Sequence, residues 1–509
     1  MQGHRLRNWI LAGVTVLALA ATAAVLATVE SGHARADPLV TVSVGSSPTG
    51  HPMPGGFVGL SMEYNWLHAY TGLNPRSVDP VLENLIRNLG PGGQSPVLRI
   101  GGESTDGTWW PIGHERTPAG VYYSLSRRWV KTVHALARDL GAKLIMGVNF
   151  AADRPDLAAA EARAFLSGIG RRYIAGLEIG NEPDNYGLFP WYRTDQGRGR
   201  WVWARPSNYR LSDFIGEFAR FRAALPPAPV VGPAFAELTW LGGLGQFLAA
   251  EQGLALVTVH RYPLHGCLTN PAQPGYPSAA NLLADQASAG LAEAIAPAVG
   301  VAHQHGVPFR LDELNSASVA SCLGKRGVSG TFASALWVLD TLFNLNRVGV
   351  DGVNVHTLPT AAYELFTLSH HGRHWRAFVH PEYYGMFMFA QAFPPGARAL
   401  PVSLSPSGSL KVWATRDRQG TTRVVLINKD ATSSYQVQLD VTGQTGPGQL
   451  ERLEAPSLAS RGGVTLGGRT FGGATTTGRL AAPHTEAVTP SRGTYSITVP
   501  PGSAALLTL

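Results

Sequence analysis

The chain has 509 residues, too many for one hydrophobic core, so two domains are expected. Hydrophobic residues make up 44% of the sequence and charged residues 15%, which excludes an intrinsically disordered protein. The net charge of +7 is mild for this length, and beyond the N-terminus no basic run alternates with aromatic residues, so the sequence does not support nucleic-acid binding. The positive charge is compatible with acidic substrates.

The N-terminus has the pattern of an export signal. Arg5 and Arg7 precede an uncharged run at residues 9–29, and Ala-Arg-Ala at 34–36 resembles a signal-peptidase site. This predicts a secretory signal over residues 1–36 and a secreted, extracellular protein. The alternative is an uncleaved membrane anchor, because the uncharged run is long enough to span a bilayer.

Strand-like and helix-like segments alternate along the middle of the chain. Apolar, β-rich runs recur eight times, and stretches with helical periodicity, such as 125–140 and 331–345, separate them. The eight runs are residues 56–64, 97–103, 143–150, 174–182, 229–235, 256–263, 308–313 and 352–358. This alternation predicts an α/β fold, a (β/α)₈ TIM barrel over residues 55–395, with long loops at 184–212 and 263–285.

The composition changes after residue 395, where glycine, serine, threonine and proline increase and helical periods disappear. Short alternating runs follow at 410–414, 423–428, 435–441 and 495–499. They predict an accessory antiparallel β-sandwich over residues 396–509. Residues 39–44 alternate in the same way, so the segment 37–54 is expected to contribute an N-terminal strand to this sandwich.

Polar side chains cluster at the carboxyl ends of the predicted barrel strands, where the strands of such a barrel converge on one site. An apolar barrel does not need them for stability, although some would support the site rather than bind a ligand. They are Arg99, Glu103, Asn149, Asn181, Glu182, His260, Tyr262, Glu313, Asn315 and His356.

Two of these residues, Glu182 and Glu313, have the arrangement that cleavage of a glycosidic bond requires. One carboxylic acid protonates the leaving oxygen, and a second, ionised carboxylate attacks carbon or activates water. Arg99 is the candidate cation that keeps one of them ionised, and Tyr262 could donate a hydrogen bond to the nucleophile. Asn181, beside Glu182, could bind a sugar hydroxyl in the transition state.

The sequence has two cysteines, Cys267 and Cys322, and each follows a predicted barrel strand. In an exported chain a single pair suggests one disulfide, which would join two loops at the carboxyl end of the barrel. The alternative is two unpaired thiols.

Two motifs resemble those of the large clan of retaining glycosidases built on this barrel: IGNEPD at 179–184 on strand four and LDELNS at 311–316 on strand seven. Further segments narrow the resemblance to glycoside hydrolase family 79, which includes β-glucuronidases and heparanases. They are LRIGG at 98–102 with Asp106, HRYPL at 260–264, SC at 321–322 with GVS at 327–329, TFASALW at 331–337, and PEYYGM at 381–386.

The resemblance implies a retaining mechanism in which Glu182 is the acid/base and Glu313 the nucleophile. Their carboxyl groups should then lie roughly 5–5.5 Å apart. The segment HTLPTAAY at 356–363 contains a tyrosine, Tyr363, in the place where the family binds the sugar carboxylate, but it lacks the glycines that precede that tyrosine in other members.

We therefore expect a β-glucuronidase that acts on glycans or glycosides. Residues expected to bind substrate are Arg99, Asp106, Asn149, Asn181, Tyr262 and Tyr363. Cysteine and histidine spacing indicates no metal site, no cofactor is expected, and no protein partner is evident. Two alternatives remain: an exo-β-glycosidase for a neutral sugar, such as a β-glucosidase or β-xylosidase, and a carbohydrate-binding protein without catalysis.

Overall fold

The computed structural model describes residues 37–319, 322–323, 327–372, 374–406 and 408–509. The predicted signal or anchor at 1–36 lies outside them. Residues Asp37–Leu509 form one compact unit. Within the described ranges, no helix is long and apolar enough to cross a membrane.

The strands are, in chain order, β1 (Leu39–Val44), β2 (Val58–Glu63), β3 (Val97–Gly101), β4 (Thr108–Trp109), β5 (Tyr123–Ser124), β6 (Lys143–Val148), β7 (Ile174–Ile179), β8 (Pro190–Arg193), β9 (Trp201–Trp203), β10 (Val230–Phe235), β11 (Leu256–Arg261), β12 (Leu264–His265), β13 (Phe309–Leu314), β14 (Ala317–Ser318), β15 (Gly352–Thr357), β16 (Phe366–His371), β17 (His374–Val379), β18 (Arg398–Leu400), β19 (Val402–Ser405), β20 (Leu410–Arg416), β21 (Thr422–Asn428), β22 (Tyr435–Val441), β23 (Gly448–Glu454), β24 (Thr465–Leu466), β25 (Glu486–Val488), β26 (Thr494–Val499) and β27 (Ser503–Thr508).

The α-helices are α1 (Leu67–Thr71), α2 (Pro80–Asn88), α3 (Arg127–Leu140), α4 (Pro155–Phe165), α5 (Thr194–Gly197), α6 (Leu211–Ala224), α7 (Leu238–Leu241), α8 (Leu244–Ala250), α9 (Ala279–Leu283), α10 (Asp285–Gln304), α11 (Phe332–Arg347) and α12 (Pro381–Ala392).

The predicted (β/α)₈ barrel is confirmed. Strands β2, β3, β6, β7, β10, β11, β13 and β15 close into one barrel in that order, and every neighbouring pair is parallel. Seven of the eight strands lie within the apolar runs of the sequence, and β13 extends one residue beyond its run, to Leu314. These strands are buried on both faces, as parallel strands covered by helices are. Helix α3 shows how the ends are set: Ser126 caps the amide of Trp129, and Gly141 ends the helix in the left-handed region.

The second domain consists of two sheets with a core between them. One sheet has the order β19-β1-β22-β26, and the other β18-β20-β21-β27-β23-β24, with β25 paired to β23. Strand β1 from the N-terminal segment pairs with β22 in parallel, whereas its other neighbour and the remaining pairs of these sheets are antiparallel. A parallel pair is possible here because β1 arrives from the other end of the chain and no hairpin joins it to β22.

Barrel and sandwich meet at a buried polar contact between α11 and the second domain. Asp340 accepts hydrogen bonds from Lys429 (2.5 Å), Ser288 (2.7 Å) and the indole of Trp413 (2.9 Å). The Trp413 ring stacks on Phe343, with centroids 5.3 Å apart. The Lys429–Asp340 ion pair is almost completely excluded from solvent, so each charge depends on the other.

The loops at the carboxyl end of the barrel have structure of their own. The disulfide between Cys267 and Cys322 is confirmed, with Cα atoms 5.0 Å apart, and the short parallel pair β12–β14 joins the same two loops. The loop after β7 contains the β8–β9 hairpin. Both features lie on the side of the barrel where the predicted site residues converge.

Candidate active site

Glu182 and Glu313 occupy the carboxyl ends of two barrel strands. Glu313 lies in β13, whereas Glu182 follows β7 and caps the short 3₁₀ turn Pro183–Asn185. Glu182 has a φ of 51°, a left-handed conformation that is costly for a residue with a side chain and is often found at functional sites. The turn is held by the Asp184 carboxylate, which accepts the amides of Ala236 and Glu237.

The Glu313 carboxylate is clamped by two donors. Nη1 of Arg99 donates to Oε2 (2.5 Å), and the hydroxyl of Tyr262 donates to Oε1 (2.7 Å). Burial alone would raise the pKa of Glu313, but the charges of His356, His260 and Arg99 together with the Tyr262 hydrogen bond hold that pKa below its usual value. Glu313 is therefore an ionised carboxylate throughout the neutral range, as a nucleophile must be.

The Arg99 guanidinium organises the floor of the site. Its Nη2 donates to Oδ1 of Asn181 (2.9 Å), its Nη1 to Ser61 (3.2 Å), and its Nε to Oε2 of Glu178 (2.7 Å). The same Nε lies 3.2 Å from Asp312. Arg99 is completely buried, and four of its five N–H donors bond to these protein acceptors, so it fixes both Glu313 and Asn181.

Glu182 has a different environment. Its Oε1 lies 3.0 Å from Nδ1 of His260, and its Oε2 accepts a hydrogen bond from the amide of Asn185 (2.9 Å). Its side chain is 24% exposed, whereas that of Glu313 is 9% exposed, and no arginine or lysine pairs with it among the described residues. Two carboxylates in contrasting surroundings can take different roles in acid/base chemistry.

The two glutamates are close together. One oxygen of each and a ring nitrogen of His260 all lie within 4.8 Å of one another. His260, Glu178 and Asp312 form a second such group directly below. Either group has the ligand types of a cation site, but in the lower one the buried Arg99 already supplies the positive charge, which opposes binding of a metal ion.

The C-terminal part of the chain matches the model of a known protein family. Residues 412–506 match the model of the glycosyl hydrolase family 79 C-terminal beta domain. No protein of curated function matches the chain in sequence.

Solved structures share the fold over nearly the whole chain. A 4-O-α-L-rhamnosyl-β-D-glucuronidase from Fusarium oxysporum 12S aligns over 92% of this chain and 100% of its own, with a TM-score of 0.70 and 18% identity. A family 51 arabinofuranosidase from Xanthomonas axonopodis pv. citri aligns over 92% and 99%, with a TM-score of 0.64 and 16% identity. A family 44 xyloglucanase from Paenibacillus polymyxa aligns over 92% and 99%, with a TM-score of 0.58 and 12% identity.

The protein is a glycoside hydrolase with a family 79 C-terminal domain. The barrel that carries the paired glutamates and this domain together form one compact unit.

Two residues that the sequence assigned to substrate binding in this glycoside hydrolase are occupied otherwise. Both amide hydrogens of Asn149 are donated to backbone carbonyls, those of Asp106 and Thr108. The Asp106 carboxylate accepts the amides of Phe150 and Ala151 on one oxygen and the Tyr186 hydroxyl on the other. Each buried side chain therefore holds loops together, which a strand-end position alone does not reveal, and substrate binding by Asp106 and Asn149 stays a prediction.

Tyr363 lies beside Glu313 as part of an aromatic cluster. Its ring packs 6.3 Å from Tyr262 and edge-on to His356 at 5.8 Å. Burial and then the charges of Glu313 and Glu63 raise the pKa of Tyr363 well above its usual value, so the hydroxyl remains a donor. His356 is itself biased toward its charged form: although burial opposes this, Glu313 and Glu63 raise its pKa.

The sequence analysis missed Glu63 and Asp312. Glu63 ends β2, where it accepts the amide of Ser104 (2.8 Å) and lies 3.5 Å from Nε2 of His356. It ends the first predicted strand as Glu182 ends the fourth, so the same strand-end criterion would have found it. Asp312 is fully buried within β13, and no pattern in the sequence distinguishes its side chain from those of its neighbours.

Proposed function

We propose that this glycoside hydrolase is a retaining β-glucuronidase that acts by double displacement. The observation that carries the proposal is the closeness of Glu182 and Glu313, whose nearest oxygens are within 4.8 Å. Retaining enzymes need carboxyl groups roughly 5–5.5 Å apart, whereas inverting enzymes leave about 6.5–9.5 Å for a water molecule between them. The arrangement here matches the shorter separation.

In the first step, the ionised Glu313 attacks the anomeric carbon while Glu182 gives its proton to the leaving oxygen. The bond to the leaving group breaks, and a glycosyl ester forms on Glu313. In the second step, Glu182 takes a proton from water, the water oxygen attacks the anomeric carbon, and Glu313 is released as a carboxylate. Arg99 and Tyr262 orient Glu313 in both steps, and His260 and Asn185 hold Glu182.

Two observations support a glucuronate substrate. The family 79 domain accompanies the barrel, and the similar fold from Fusarium oxysporum is a glucuronidase in complex with Rha-GlcA. In this chain, the protonated hydroxyl of Tyr363 is the donor that could bind the sugar carboxylate.

A second candidate, an exo-β-glycosidase for a neutral sugar, is favoured by a different observation. Tyr363 is surrounded by the carboxyl groups of Glu63, Glu103 and Glu313, all close enough to raise its pKa. Removal from bulk water and then Glu63 and Glu182 raise the pKa of Glu103 to about 7. Carboxylates accept hydrogen bonds from sugar hydroxyls readily but repel a sugar carboxylate.

We also propose that the protein is exported. Residues 1–36 support this, because they contain two arginines, then an uncharged run, and then the sequence Ala-Arg-Ala. The disulfide between Cys267 and Cys322 fits an oxidising compartment.

The test is a panel of nitrophenyl β-glycosides that includes the glucuronide, glucoside and xyloside. We expect the highest kcat/KM for the glucuronide, and NMR of the first product should show the β-anomer. Preference for the glucoside or xyloside would favour the neutral-sugar candidate. An α-anomer would refute double displacement, and tight sugar binding without turnover would favour the non-catalytic alternative.

A further inference from the structure

The hairpin that follows Glu182 exposes unusually large hydrophobic side chains. Leu188 and Phe189 are 60% and 61% exposed, and Trp201 and Trp203 are 50% and 45% exposed. Trp201 and Trp203 are two residues apart on β9, with Val202 between them less exposed. Alternation along a strand puts both indoles on the same face, roughly 7 Å apart along the chain.

This exposure belongs to an ordered element. Strands β8 and β9 pair in antiparallel register, with Arg193 opposite Trp201. On its inner side, Trp191 packs against the small cluster of Trp109, Val121 and Leu157. The hairpin is thus anchored to the barrel through Trp191, while its indoles on β9 face solvent.

The same hairpin is basic. The Arg193 guanidinium lies 4.7 Å from the centroid of the Trp201 ring, which orients that indole. Arg198 and Arg200 at its tip are exposed, and no salt bridge joins any of these three arginines to an acid within the described part of the chain. Asp195 is the one acidic residue between positions 188 and 203.

The position of the hairpin decides which part of a substrate it would meet. It starts a few residues after Asn185, whose side-chain amide bonds to Glu182. An acid/base gives its proton to the leaving-group oxygen, which favours the leaving group, rather than the sugar held by Glu313, as the part of a substrate that meets the chain continuing from Glu182.

We propose that residues 188–203 form a binding platform for the leaving-group portion of an acidic polysaccharide. Successive sugar rings stack on Trp201 and Trp203, and carboxylate or sulfate groups of the chain pair with Arg198 and Arg200. Aromatic faces suit the apolar faces of pyranose rings, and exposed guanidinium groups suit planar anions. This inference rests on the proposed function and extends it from a terminal sugar to the chain that carries it.

The test compares two oligosaccharides of equal length, a hyaluronan decasaccharide with a carboxylate on every second sugar and an uncharged chitin decasaccharide. Binding is measured by calorimetry on the full chain with Glu313→Gln, so that neither ligand is consumed. The variants are Trp201→Ala/Trp203→Ala and Arg198→Gln/Arg200→Gln. Matched controls on the second domain are Leu39→Ala and Arg418→Gln, which change an exposed hydrophobic residue and an exposed arginine far along the chain.

We expect each hairpin double variant to weaken hyaluronan binding at least tenfold and the controls to change it less than twofold. Raising salt from 50 to 200 mM should weaken hyaluronan binding about tenfold through lost arginine contacts, and Arg198→Gln/Arg200→Gln should remove most of that dependence.

Unchanged hyaluronan binding in both hairpin variants would overturn the platform, as would equal binding of the chitin decasaccharide. If wild type fails to cleave nitrophenyl β-glucuronide while hyaluronan binding depends on the hairpin, the proposed function fails and the platform remains.

Discussion

Tyr363→Phe is the substitution that tests how a sugar carboxylate would be recognised. The side chain is buried against Tyr262 and His356, so phenylalanine keeps the packing and removes only the hydroxyl. Because the phenol is protonated, the lost interaction is a hydrogen bond to a charged group, worth about 1.5–3 kcal/mol. This energy corresponds to a decrease of roughly 10- to 150-fold in kcat/KM for a glucuronide.

The assay is the ratio of kcat/KM for nitrophenyl β-glucuronide to that for the matching glucoside, which lacks the carboxylate. Tyr363→Phe should lower this ratio by nearly the full factor. Tyr262→Phe is the matched control: its hydroxyl bonds to Glu313, so its loss should slow both substrates equally and leave the ratio unchanged.

An unchanged ratio in Tyr363→Phe would exclude Tyr363 from the carboxylate subsite. A ratio that falls in Tyr262→Phe as well would mean that the aromatic cluster acts as a unit and that the hydroxyl of Tyr363 has no separate role. A wild-type enzyme that prefers the glucoside would refute the glucuronidase proposal and leave the two-glutamate mechanism intact.

Three further predictions concern the glutamates and the domain junction. With added azide, Glu313→Ala should give the inverted glycosyl azide and Glu182→Ala the retained one; the reverse stereochemistry would exchange the proposed roles. The positive charge around Glu313 outweighs the effect of burial, so the pKa of Glu313 lies below the usual value of about 4.3. Activity should therefore be lost only as the pH falls through that lower pKa, and an acidic limb of kcat/KM above pH 5 would contradict this. Lys429→Met should lower the free energy of unfolding in urea by about 3–5 kcal/mol because it strands the buried Asp340, and Lys429→Met/Asp340→Leu should recover most of the loss; an equally unstable double variant would rule out the stranded charge as the cause.

The barrel could be predicted from the sequence because its pattern is redundant. Each strand is a buried apolar run, each is followed by a helix or a long loop, and the alternation repeats eight times. Helix α3 was predicted within two residues of its ends, since its apolar residues recur with helical periodicity. The sandwich was harder: β23 and β27 were missed, because Gly448–Glu454 mixes charged and apolar residues and Ser503–Thr508 is a continuous apolar run without alternation.

The site could be predicted only where position along a strand is sufficient. Arg99, Glu182 and Glu313 meet because the ends of parallel strands converge. For Asp106 and Asn149, position along a strand does not show which backbone groups their side chains bond to, because that depends on loops whose paths the sequence does not show. The exposure of Trp201 and Trp203 was likewise hidden, because an aromatic residue in a long loop is more often packed than displayed.

The buried carboxyl groups of Glu178 and Asp312 show how the site can hold several acidic residues close together. Burial and the nearby Glu178 raise the pKa of Asp312 well above its usual value, which favours the neutral form of that carboxyl. Glu178 is the opposite case: burial favours its neutral form, but the charge of Arg99 lowers its pKa. With its proton on Asp312, the pair of coupled carboxyls would leave Arg99 two anions to neutralise, Glu178 and Glu313, instead of three.

This distribution matters for Glu313. If Asp312 were ionised, its negative charge would compete with Glu313 for the same guanidinium and would repel it at close range. The raised pKa of Asp312 therefore favours the short Arg99–Glu313 contact, which keeps Glu313 ionised. His260 lies 3.0 Å from Glu182 and 3.6 Å from Asp312, so it links the position of the Glu182 carboxyl to that of a fully buried carboxyl beside Arg99.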